Sequence, residues 1–181
     1  MATLIDSYSE SNYSQDIDLS SDVQQEAQSF TGNGDSITSC RFYLKKSGTP
    51  TGNLYAKIYT HSGVYGTSSV PTGGPLATSD ALDISTLSTS YELVEFTFST
   101  PYATIGDTNY VLSLEATTAV SVYIGVDNVS PSHSGNRSYN FLGMGWEKDN
   151  TRDICFYVYG VENLETPTIG ESYPLPPFRR A

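Results

Sequence analysis

The sequence predicts an all-β chain, a single antiparallel β-sandwich. Apolar residues recur with a period of two in run after run, and clusters rich in Gly, Pro, Asn and Ser separate the runs. The apolar set is one-sided, so each sheet has one face to bury and a second sheet must cover it. No stretch long enough for an ordinary helix carries a 3.6-residue period.

Residues 1–26 form a polar, acidic leader. Met1 to Cys40 contains Asp6, Glu10, Asp16, Asp18, Asp22, Glu26 and Asp35 but no Lys or Arg. Two readings of this leader are open: a solvated segment, or one or two edge strands anchored by Ile5, Tyr8, Ile17 and Leu19. The sandwich domain is assigned to 27–161. From Ser36 to Lys45, Thr38, Cys40, Phe42 and Leu44 share one face, with Ser39, Arg41 and Tyr43 on the other. Leu54, Ala56 and Ile58 alternate with Tyr55, Lys57 and Tyr59. A short helical turn is expected near Ser85-Thr86-Leu87. Val94, Phe96 and Phe98 alternate with Glu95 and Thr97, and Tyr110, Leu112 and Leu114 with Val111, Ser113 and Glu115. Val120, Val122, Ile124 and Val126 alternate with Ser121, Tyr123 and Gly125, then Ile154, Phe156 and Val158 with Cys155, Tyr157 and Tyr159. Turns are expected at 31–35, 47–52, 62–74, 104–109 and 128–137. Residues 162–181 form a Pro-rich C-terminal arm, punctuated by Pro167, Pro174, Pro176 and Pro177. Such a segment favours an extended backbone with no ladder of its own.

Composition narrows the function classes. The 181 residues carry 20 Asp and Glu against 9 Lys and Arg, a formal charge of -11. Such a chain repels phosphate backbones, so no nucleic-acid partner is expected. No apolar stretch approaches a bilayer span, so no membrane insertion is expected. Ser and Thr make up about a quarter of the residues, and Tyr is abundant at 14. The first six residues have neither the basic nor the apolar region of a secretory signal. Two reduced thiols are therefore expected rather than a Cys40–Cys155 disulfide. The three N-x-[ST] triplets, at Asn12, Asn128 and Asn136, carry no weight without secretion.

No catalytic residue is assigned, and the chain is expected not to be an enzyme. His61 and His133 lie in Gly/Ser-rich loops, and no G-x-S-x-G elbow is present. Glu92, Glu95 and Glu115 sit at strand positions that face solvent, where carboxylates protect an exposed sheet. No cofactor is expected. The candidate metal is a structural Ca²⁺, for which Asp16-Ile17-Asp18 and Asn33-Gly34-Asp35 offer hard oxygen donors, although no EF-hand spacing occurs. The informative residues are aromatic. Tyr43, Tyr55, Tyr59, Tyr123, Tyr157 and Tyr159 fall opposite the apolar sets, and Trp146 stands alone among glycines. Large amphipathic rings suit a partner surface or a sugar, so Trp146, Tyr55, Tyr59, Tyr123, Tyr157 and Tyr159 are the candidate glycan or partner contacts. Taken singly, each tyrosine is better explained by ordinary cross-strand pairing on a half-exposed sheet.

Several stretches resemble a β-sandwich module found in phage structural proteins and bacterial surface proteins. They are Gln28-Ser29-Phe30-Thr31-Gly32-Asn33-Gly34 with Cys40-Arg41-Phe42-Tyr43-Leu44-Lys45-Lys46, Gly48 to Asn53, Ala56 to Tyr59, Ser69 to Gly73, Leu76 to Asp80, Ser130 to Asn136, and Phe156 to Gly160. The resemblance covers roughly 5–161. It implies a jelly-roll-like sandwich similar to carbohydrate-binding modules, with no catalytic signature. It leads to the expectation of a non-enzymatic structural protein of a tailed phage, a capsid decoration or accessory protein on the exterior of the virion. The expected partners are the major capsid protein or another virion protein, neighbouring copies, and surface glycans if the module serves host attachment. Within the arm, Pro176, Pro177, Phe178, Arg179 and Arg180 are the candidate docking residues. Phe178 would fill an apolar pocket, and the two arginines would meet acidic groups.

Overall fold

The computed structural model describes residues 2–19, 23–117, 121–141 and 143–163. The described strands are β1 (Thr3–Tyr8), β2 (Gln15–Leu19), β3 (Val23–Thr31), β4 (Ser36–Lys46), β5 (Asn53–Ser62), β6 (Val70–Thr78), β7 (Leu82–Asp83) and β8 (Glu92–Ala103). They continue with β9 (Asn109–Ala116), β10 (Val122–Asp127), β11 (Arg137–Phe141), β12 (Trp146–Asp149), β13 (Asp153–Ile154) and β14 (Phe156–Val161). Two single-turn 3₁₀ segments, Glu10–Asn12 and Ile84–Thr86, are capped by the side chains of Ser9 and Asp83. Among the described residues no helix is long and apolar enough to cross a membrane.

The strands form two seven-stranded antiparallel sheets, a β-sandwich. Sheet A runs β1-β14-β4-β10-β13, with β8 on the other side of β4 and β2 beside β10. Sheet B runs β12-β11-β3-β9-β5-β6, with β7 also on β5. This strand order does not establish the jelly-roll winding that the resemblance implies. Residues 3–19, open to two readings from sequence, supply two strands: β1 pairs with β14, and β2 with β10.

The core lies between the sheets. Sheet A contributes Cys40, Phe42, Leu44, Phe96, Ile124, Phe156 and Val158; sheet B contributes Phe30, Leu54, Ala56, Ile58, Leu112 and Leu114. Burying that much aromatic and branched area drives the stacking.

The structure corrects the expected pattern at four places. Thr38 is half-buried, and Ile37 takes its place in the core. Tyr159 pairs with Ser39 and Gly160 with Ile37, so Thr38 is an extra residue, a β-bulge that reverses the alternation. Cys155, expected outside, is fully buried. It joins β13 to β14, where its N–H binds the Gly125 carbonyl rather than a regular ladder partner. Both cysteines are free thiols. Residues 70–74 and Arg137, expected in turns, belong to β6 and β11. Finally, β9 is buried on both faces from Tyr110 to Glu115, because strands at the two edges of sheet B curl over its outer side. In β6, Thr72 pairs with Thr60 but Ala77 with Ile58, so Gly73 to Leu76 make an excursion opposite Tyr59. β6 also touches β12, although the two lie at opposite edges of the sheet.

Candidate functional site

The two outer faces differ. On sheet A, β4 turns Cys40, Phe42 and Leu44 inward, which leaves Arg41, Tyr43 and Lys45 outside. Tyr43 stacks on Tyr91, with centroids 4.7 Å apart and 21° between planes. Tyr13 lies 5.0 Å from Tyr91 and 5.7 Å from Tyr43. The rings can settle onto the sheet because Gly125 lies beneath them: a Cβ there would stand 2.7 Å from Tyr43 Cδ1 and 3.1 Å from Tyr13 Cδ2.

Charge is threaded through these rings. Lys45 Nζ lies 4.5 Å from the Tyr91 centroid and 5.3 Å from that of Tyr123, a cation–π arrangement. It also lies 2.9 Å from Asp16 Oδ2, while Tyr13 donates its hydroxyl to Asp16 Oδ1. That hydrogen bond, helped by burial, pushes the Tyr13 hydroxyl up to about 12. Burial, reinforced by the Asp16 carboxylate, pushes Tyr91 up. Burial disfavours the charge on Asp16, but its bonds from Tyr13 and Lys45 outweigh this and hold the carboxyl low. Further along the face, Arg41 donates to Glu95 Oε2 through Nε at 2.9 Å and Nη2 at 2.8 Å. Its guanidinium lies 5.2 Å from the Tyr159 ring. Tyr157 and Tyr159 are nearly parallel, at 7° and 6.2 Å, and Tyr157 donates to Glu10 Oε2 at 2.5 Å.

The outer face of sheet B is closed instead. Trp146 packs on a small cluster of Ala27, Tyr59 and Val111. Beside it, Glu115 is only 5% exposed, a correction to its expected place in solvent. It accepts bonds from Gln25 Nε2 at 2.9 Å, Tyr59 Oη at 2.7 Å and Ser113 Oγ at 2.8 Å, and pairs with Lys57 Nζ at 2.5 Å. A cleft of about 330 Å³ opens beside this cluster, lined by Tyr55, Lys57, Thr78, Glu115, Ala116 and Thr117.

The structure therefore divides the six aromatic contacts expected from sequence. Tyr123, Tyr157 and Tyr159 share the outer face of sheet A, each half-buried. Tyr55, Tyr59 and Trp146 lie on sheet B, and Tyr59 is buried at 8% exposure, so its ring is not on offer to a ligand. Pro176, Pro177, Phe178, Arg179 and Arg180 lie outside the described residues. Sequence reasoning missed Tyr13, Tyr91, Lys45 and Asp16 as one cluster. Tyr13 and Tyr91 stand next to strands rather than in an alternating run, so periodicity does not flag them. The available signal was Gly125 inside a strand, a position where something approaches the backbone closely.

Both histidines are engaged, as are Asp16 and Asp35 among the proposed Ca²⁺ donors. His133 Nδ1 accepts from the Gly135 N–H at 3.0 Å, which leaves Nε2 to donate to Asp6 Oδ1 at 3.2 Å. His61 Nε2 meets Ser69 Oγ at 3.0 Å, but Ser69 is fully buried and is not presented to a substrate. Asp35 binds Thr3 Oγ1 and Asn33 Nδ2. Among the described residues no group of three or more His, Cys, Asp or Glu is placed to hold a metal ion. No family model, curated protein or solved structure matches the chain.

Proposed function

We propose that the chain is a non-enzymatic structural protein on the exterior of a tailed-phage particle, a decoration or accessory protein whose working surface is the outer face of sheet A. One observation carries the binding role. Tyr13, Tyr43, Tyr91, Tyr123, Tyr157 and Tyr159 gather on a single sheet face, interleaved with Lys45 and Arg41. Rigid amphipathic rings with few rotatable bonds, beside Arg, are the composition of protein-binding hot spots. The particle setting rests on the resemblance of residues 5–161 to phage structural modules. The partner is then the major capsid protein or another virion protein. The test is co-sedimentation of the full chain with particles assembled without it. The Tyr43→Ser/Tyr91→Ser double variant should bind at least about tenfold more weakly. Undiminished binding overturns the assignment of this face.

A second reading, a carbohydrate-binding or host-adhesion module, is favoured by the cleft beside Glu115. There Tyr55 lines the cleft together with Lys57, Thr78 and Thr117, an aromatic ring and a set of polar groups suited to a sugar. A glycan array should then show hits that Tyr55→Ala abolishes and Trp146→Ala weakens by shifting Tyr59. An array without hits removes this reading.

A further inference from the structure

We propose that the tyrosine surface around Lys45 receives residues 174–180 of a neighbouring copy of this chain. The inference rests on the reading of sheet A's outer face as the working surface, and it names the partner of one part of it.

The first support is chemical fit. The arm reads Pro174-Leu175-Pro176-Pro177-Phe178-Arg179-Arg180. Closely spaced prolines favour a preformed polyproline II helix, which gives up little entropy on binding. Such segments dock where aromatic rings form ridges and grooves. Tyr13, Tyr43 and Tyr91 form such a ridge set, and Tyr13 is 37% exposed at its rim.

The second support is charge. Asp18 follows Asp16 on the same side of β2 and stands opposite Tyr123 in the ladder. It is exposed, and among the described residues no cation or donor pairs with it. Lys45, the nearby cation, is taken by Asp16. An incoming Arg179 or Arg180 finds a free carboxylate at Asp18. The dimensions agree: Pro174 to Arg179 spans about 16 Å as polyproline II. Tyr43 and Asp18 lie two strands and two residues apart, roughly 12 Å. An exposed ion pair adds little affinity, so the rings hold the segment and the charges set its direction.

The third support concerns which copy supplies the arm. β14 is antiparallel to β4 and ends at Val161 opposite Ser36, where Asn163 Oδ1 accepts from Ser36 Oγ at 2.9 Å. The chain therefore leaves at the Ser36 end of β4, pointing away from Tyr43 and Lys45. Reaching its own tyrosines requires a reversal of direction after Asn163. A neighbouring copy needs none.

The test uses the full chain with Phe178→p-benzoylphenylalanine, prepared with natural and heavy nitrogen isotopes and mixed before irradiation. The expected products are heavy–light crosslinks into peptides containing Tyr13, Tyr43 or Tyr91. Tyr43→Ser/Tyr91→Ser should cut their yield by roughly tenfold. Arg179→Asp/Arg180→Asp should cut it several-fold at low salt. Crosslinks confined to one chain, crosslinks onto sheet B, or a yield insensitive to both variants overturn the inference. If it fails while particle binding still depends on Tyr43 and Tyr91, the functional reading stands with a different occupant. If both tests fail, the face itself is misassigned.

Discussion

The two sheets treat the same residue types in opposite ways. On sheet A, Arg41 meets Glu95 with side chains 40% and 45% exposed. On sheet B, Arg137 meets Glu26 on the inward face, where Glu26 stands opposite Leu114; their side chains are 6% and 0% exposed, and Arg137 Nη1 also reaches Asp149 Oδ2 at 2.6 Å. Tyrosines follow the same division: Tyr13 stands partly open on sheet A, whereas Tyr59 on sheet B is buried and bonded to Glu115. An outward position in the alternation therefore means solvent only where nothing folds back over it. Sheet A leaves its outer face open and carries its charges there. Sheet B curls β6 and β12 over its own outer face, where Glu115 takes partners from Gln25, Tyr59, Ser113 and Lys57.

The contrast predicts a graded set of effects. The largest belongs to the buried pair. Glu26→Gln leaves Arg137 short of its countercharge and should lower unfolding free energy by about 3–5 kcal/mol in a denaturant titration. A loss no larger than that of a surface pair would contradict the buried, coupled geometry. Next come two glutamates read identically from sequence. Glu115→Gln strands Lys57 beside a buried amide and should cost about 1–3 kcal/mol. Glu95→Gln, on the open face, should cost less than about 1 kcal/mol. Equal costs would erase the distinction between the faces. The smallest effect is in acid. Burial disfavours ionised Asp149, but bonds from Thr151 and the charges of Arg152 and Arg137 prevail and bring its carboxyl down to about 2 from an ordinary 3.8. A carboxyl lowered on folding adds stability above its unfolded value, and that stability is lost as pH falls through the folded one. Unfolding midpoints should therefore decline between about pH 4 and about pH 2, and Asp149→Asn should flatten part of that decline. An unchanged slope would remove Asp149 from the network.

The core strands were legible because period-2 alternation reports directly on a buried face. Phe96, Phe98, Leu112, Ile124, Phe156 and Val158 are inside as the pattern requires. The failures have physical causes that lie outside any single strand. Thr38 broke phase because a bulge adds one residue, which alternation cannot anticipate. Glu115 and Tyr59 were misplaced in solvent because their cover comes from β6 and β12, distant in sequence and weakly patterned. β11 and β12 lie among Gly, Asn and charged residues, and β12 is the edge of its sheet. The candidate site was half visible. Tyr123, Tyr157 and Tyr159 announced an aromatic face, whereas Tyr13 and Tyr91 joined it from loops, through contacts that only the folded sheet creates.

The opposite ends of β4 carry one last consequence. The arm departs beside Ser36, and the tyrosines it would meet surround Lys45. A contact between those two patches joins unlike surfaces, since each copy gives one surface and receives on another. A two-fold dimer closes if two copies exchange arms reciprocally, whereas any other rotation leaves one open acceptor and one free donor on every assembly short of a ring. The rotation between successive copies alone then decides whether the series closes at a fixed number or runs on as a filament. On a particle, the symmetry of the underlying shell would choose between those outcomes.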